Sequence, residues 1–140
     1  MRAYMFGGLI ACSLLVAGAQ VAAHHSFAAE FDANKKVTLT GTVTKVEWTN
    51  PHVWIYLNVK DAQTGTVSNW GFEMGPPHGL QRRGWQRGTL KLGDQITVAG
   101  SMAKNGSNRM NASTVTLTST GGRPGEKLDA ASSQGGAVID

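Results

Sequence analysis

Four histidines carry the chemistry this sequence offers most openly, and two of them stand together as His24-His25. Directly before them, Val21-Ala22-Ala23 supplies the small side chains that a signal peptidase requires. A cut after Ala23 makes His24 the first residue of the mature chain. Its α-amino group and imidazole can then chelate one metal ion together, with His25 beside them. Amine and imidazole nitrogens suit Cu(II), whose affinity peaks among the first-row divalent ions. A cut after Ala22 gives Ala23-His24-His25, and a free amine with histidine in third position also binds Cu(II). Copper is therefore the expected metal, held by His24, His25 and, as a third ligand, His52. His78 follows Pro76-Pro77 and is expected to cap a short helix.

A second group of side chains suits an organic ligand or a protein partner. Trp48, Asn50, Trp54, Tyr56 and Trp70 fall on or beside two successive strand patterns, where aromatic rings can stack on a flat ligand. Arg82 and Arg83, with Arg87 nearby, form a basic cluster suited to carboxylate or phosphate. No nucleophile motif, phosphate loop or zincin helix is present. Glu47 and Glu73 read as isolated acids, with nothing in the sequence to pair them as acid and base. Binding without turnover is the expectation.

Residues 1–23 read as an export signal: Arg2 at the start, an apolar run from Tyr4 to Ala19, then the small-residue exit. A retained anchor is the rival, but the run is shorter than the roughly 20 residues that span a bilayer. Leu9-Ile10-Ala11-Cys12 resembles a lipobox, with a very short apolar stretch before it. Cys12 is the only cysteine and leaves with the signal, which excludes disulfides and thiolate sites from the mature chain. Without Arg2, 12 Lys and Arg face 9 Asp and Glu. So mild a positive charge does not amount to a nucleic-acid footprint. No specific nucleic acid and no stable membrane span are expected of the processed chain, and a periplasmic or secreted location is.

The elements that must position these groups are mostly strands. Val37 to Val43 alternates at period two, and the apolar phase then slips to Val46 and Trp48, which predicts a bulge near Thr44-Lys45. Val53 to Val59 alternates aliphatic with aromatic and polar residues, so Trp54 and Tyr56 are expected to point away from the core. Val67 to Met74 is a third strand, His78 to Arg87 a weak helix, and Gln95 to Met102 and Met110 to Thr118 the last two strands. The fold expected is all-β with one short helix: a five-stranded, OB-like Greek-key barrel, the alternative being an open five-stranded barrel or sandwich. Its divisions are signal 1–23, N-terminal segment 24–36, barrel 37–119 and a tail, 120–140, whose Gly, Ser and Ala content reads as disordered.

The segments His24-His25-Ser26-Phe27-Ala28-Ala29-Glu30-Phe31-Asp32, Leu39-Thr40-Gly41-Thr42-Val43, Glu47-Trp48-Thr49-Asn50-Pro51-His52, Gly79-Leu80-Gln81-Arg82-Arg83-Gly84-Trp85 and Gly93-Asp94 carry a resemblance. In them the chain resembles a family of small exported bacterial proteins catalogued only as a domain of unknown function. The resemblance implies a periplasmic home and one small domain, and it supplies no activity. The reading that follows is a periplasmic module binding a small ligand or copper. An envelope structural or protein-interaction domain is the alternative, and a copper-dependent oxidoreductase comes third.

Overall fold

The computed structural model describes residues 27–118 and 125–132. Residues 1–23, which read as an export signal, lie outside the described residues, as do His24 and His25. The chain is all-β with two short helices. A helical turn, α1 (Phe27–Glu30), leads into β1 (Phe31–Glu47), and β2 (Trp54–Lys60) and β3 (Val67–Glu73) follow. The helix α2 (Pro77–Gln81) separates β3 from β4 (Gln95–Ala103), β5 (Arg109–Leu117) and β6 (Lys127–Asp129).

Strand β1 is long because its two halves have different partners. Lys36 to Thr42 pair antiparallel with β4, and Thr42 to Glu47 pair with β2. The register slips between Val43 and Lys45. This is the bulge that the phase change predicts, and it lets the strand turn from one partner to the other. Strands β2 and β3 pair along their full length, and β4 pairs with β5. Gly71 to Glu73 then run parallel to Arg109 to Asn111. That last pairing completes a ring of hydrogen-bonded strands in the order β1, β2, β3, β5, β4.

The ring encloses the aliphatic face predicted for β2. Ile55, Leu57 and Val59 are buried, with Phe72, Met74, Ile96, Val98, Met110 and Val115 around them. Each such side chain contributes about 1.5–3 kcal/mol by leaving water. Trp54 and Tyr56, at the alternate positions, stay half-exposed on the outer face as expected.

The structure departs from the sequence reading most at two boundaries and in one added strand. Strand β1 begins at Phe31, not Val37, because Phe31 is buried and pairs with Ala103 while the polar residues between form an irregular stretch. The helix ends at Gln81, since Gly84 adopts a positive φ of 89° that an α-helix does not accept. Within the tail that reads as disordered, Lys127–Asp129 form β6 on β5. Ala130 beside them is fully buried, its N–H bonded to the Ser113 carbonyl and its own carbonyl to the Gly75 N–H. Composition missed this strap because its attachment is mostly backbone.

Candidate functional site

Strand pairing lines up polar and aromatic side chains on the outer face of β1, β2, β3 and β5. Glu47 pairs with Trp54, Trp54 with Glu73, and Glu73 with Asn111. One step along, Lys45 pairs with Tyr56, Tyr56 with Gly71, and Gly71 with Arg109. The two rings stack at 6.4 Å and lie across Gly71, where a Cβ would come within 3.3 Å of Tyr56. A glycine there gives the aromatics a flat seat. The Arg109 guanidinium sits 4.5 Å from the centre of the Trp54 ring, a cation–π contact.

His52 lies at the end of this face, just before β2. Its Nδ1 is 3.0 Å from the Met74 carbonyl oxygen and 3.3 Å from Glu73 Oε1. A carbonyl oxygen only accepts, so Nδ1 carries a hydrogen and donates it. In the neutral ring the lone pair is then on Nε2. Glu73 is the most enclosed acid of the group, its side chain 12% exposed. Burial pushes its carboxyl above the usual range, and the nearby Glu30 charge adds to this. His52, Arg109 and a 3.4 Å hydrogen bond from Asn111 Nδ2 act the other way without cancelling it. Asn111 in turn accepts a hydrogen bond from the Ser132 hydroxyl at 2.5 Å.

Glu47 behaves oppositely. Lys45 and the Tyr56 hydroxyl, the latter at 3.0 Å, both hold its carboxyl below the usual range. Neither acid is isolated, contrary to the sequence reading. Lys45 is two residues from Glu47 on β1, but Tyr56, His52 and Asn111 come from elsewhere in the chain, and local spacing gives no sign of those three.

The remaining sequence candidates divide. Trp48 and Trp70 pack against the core, and the Trp70 indole donates to Ser68 Oγ at 3.0 Å. Asn50 is exposed in the turn before β2. Arg83 is tied down: Nη1 donates to the Gly79 carbonyl at 3.0 Å and Nε lies 3.0 Å from Asp129. Arg82 is exposed. His78 caps nothing, since Pro76 holds the N-cap position without a side-chain bond.

Among the described residues no three His, Cys, Asp or Glu side chains converge to hold a metal ion. Of the three histidines expected to hold a metal, only His52 lies among the described residues, and Glu73 is positioned to fix its ring. Glu73, which the sequence reads as an isolated acid, and Arg109 and Asn111, which it leaves unmarked, join it on the same face. Among the described residues no helix is long and apolar enough to cross a membrane. Neither a curated protein nor a solved structure matches the chain. One family model does, over residues 11–112, and its description is a family of unknown function.

Proposed function

This chain belongs to that family of unknown function, DUF6152, and we propose that it is an exported binding module without turnover whose ligand is a copper ion. The observation that carries the reading is the hydrogen bonding of His52. Met74 and Glu73 hold Nδ1, which orients the ring and reserves Nε2 for a ligand. A carboxylate and a backbone carbonyl behind an imidazole form the support that metal-binding histidines use. His24 and His25 supply the other nitrogens once residues 1–23 are removed on the way to the periplasm. Glu30, whose charge acts on Glu73, stands six residues after His24, a span of at most about 20 Å for an extended chain. The N-terminal histidines are therefore within reach of His52. The parallel β3–β5 closure, with a helix between β3 and β4, supports the OB-like reading of the ring.

Intact mass and Cu(II) titration of the exported protein test this. The expected results are a mature chain starting at His24, one tight site, and a loss of about tenfold or more in affinity for His52→Ala, the range seen on disturbing metal-site support. A mature terminus other than His24 or Ala23, or affinity unchanged by His52→Ala, would overturn the reading.

The envelope-docking alternative loses part of its surface, since Arg83 is engaged by Asp129 and one side of Trp54 by Arg109.

A further inference from the structure

A cavity of about 260 Å³ lies between the N-terminal turn and the β4–β5 hairpin, lined by Glu30, Phe31, Lys104, Asn105, Ser107 and Arg109 among others. That is just under the range typical of sites for drug-sized ligands. Its walls are fixed by hydrogen bonds that do not use up its cations. The Lys104 backbone N–H donates to the Glu30 carbonyl at 2.9 Å, and its Nζ donates to the Ala28 carbonyl at 2.5 Å. An ammonium group has two further hydrogens to give. The Asn105 side-chain oxygen accepts the Ser107 N–H at 3.0 Å, which shapes the hairpin turn. The Arg109 guanidinium carbon lies 4.5 Å from the centre of the Trp54 ring. A guanidinium carries five N–H donors, and its fork matches the oxygens of an oxyanion.

The hydroxyl of Ser107 is the telling group. Its oxygen is enclosed and has no hydrogen-bond partner among the described residues. Enclosed hydroxyls in folded proteins nearly always find a partner, and an orphan calls for a water or a ligand. Here the orphan lines a cavity that also carries two cations and one carboxylate.

We propose that this cavity binds a small oxyanion, gripped by Arg109, Lys104 and the Ser107 hydroxyl. Glu30 sits on the same wall and opposes the anion, so it limits affinity and selects for small ligands of concentrated charge. The site is separate from the imidazole of His52, but Arg109 touches both the cavity and Trp54. Occupancy of the cavity is therefore felt at the Trp54 ring.

The test is titration of metal-free protein with inorganic phosphate and, separately, with acetate. It is followed by calorimetry and by the Trp54 indole N–H resonance. Saturable binding of either anion with movement of that resonance is expected, and the stronger of the two identifies the ligand class. Arg109→Gln should bind about tenfold or more weakly, and Ser107→Ala several-fold more weakly, as charge-assisted and neutral hydrogen bonds differ. Glu30→Gln should bind more tightly, a gain that a damaged fold cannot produce. His52→Ala should bind the anion like the parent, which separates this site from the copper reading. Absence of saturable binding by both anions, or weaker binding by Glu30→Gln, would overturn the proposal.

Discussion

Gly75 and Ala131 are pressed together so closely that a Cβ added to the glycine would stand 2.3 Å from the Ala131 carbonyl oxygen. This is where the strap carrying β6 crosses the end of β3. The Gly75 N–H donates to the Ala130 carbonyl at 2.8 Å, so backbone meets backbone with no room for a side chain. Gly75→Ala is expected to cost about 1–3 kcal/mol, the usual range for overpacking. Urea unfolding checks the value. Hydrogen exchange should show the loss first at the Gly75 and Ala130 amides.

The same strap holds Trp85. The ring is 1% exposed, and its indole N–H donates to the Asp129 carbonyl at 2.8 Å. Trp85→Phe keeps most of the apolar contact and deletes that bond, so a loss of about 1–3 kcal/mol is expected. Trp85→Ala should lose about 3–5 kcal/mol. A chain ending at Pro124 lacks both the carbonyl and Ala130, so in it Trp85→Phe should cost distinctly less. Equal costs in the two backgrounds would show that the strap does not hold the indole.

Glu73 gives the protein a pH dependence of unusual sign for a carboxylate. Burial raises its folded value above the ordinary 4.5, so the folded chain holds the proton more tightly than the unfolded chain does. The stability this provides is complete below 4.5 and lost as pH rises through the folded value. Glu73→Gln removes the titration. Unfolding free energies measured from acid to neutral pH should therefore shift in favour of the variant as pH rises. Asp61 opposes this trend: backbone N–H groups of Thr64 and Gln63 hold its carboxyl low. Its contribution is present above the ordinary value and fades as pH falls through the folded one. Asp61→Asn should accordingly weaken the acid limb of the profile and leave the fall above 4.5 that Glu73 causes unchanged.

Tyr56→Phe probes the other acid of the outer face. Removing the hydroxyl removes a hydrogen bond to Glu47, one of two groups holding that carboxyl low. The Glu47 carboxyl should titrate at higher pH in the variant, by NMR, while Lys45 retains part of the effect. Stability should change by no more than about 1 kcal/mol, since the bond is partly exposed.

Much of the ring was legible in the sequence. The alternation of Val53 to Val59 is read directly because one face is buried and the other is not. The bulge near Thr44 is visible as a slip in apolar phase, since a single extra residue moves every later side chain to the other face. The beginning of β1 is hidden because residues 33–36 are exposed and three of the four are polar, and only Phe31 anchors the strand's start. Strand β6 is hidden because three residues with one half-buried Leu128 carry almost no pattern. The candidate site was half visible. His52, Trp54 and Tyr56 announce themselves by type and place. Glu73, Arg109 and Asn111 reach them through β2–β3 and β3–β5 registers, and pairing between distant strands leaves no trace in local spacing.

The ring closure has a consequence for behaviour at high concentration. Strands with unpaired edges are templates for sticking to other copies. Here β5 is paired with β3 over its first residues and with β6 over its later ones, so its outer edge is covered along most of its length. On β3 the pairing with β5 begins at Gly71, which leaves the stretch from Val67 to Trp70 bonded on one side only. That stretch is four residues long and flanked by the exposed Lys60. So short an edge on β3 offers little for another chain to extend. If the strap is lost, β5 regains an open edge, and self-association should accompany the fall in stability.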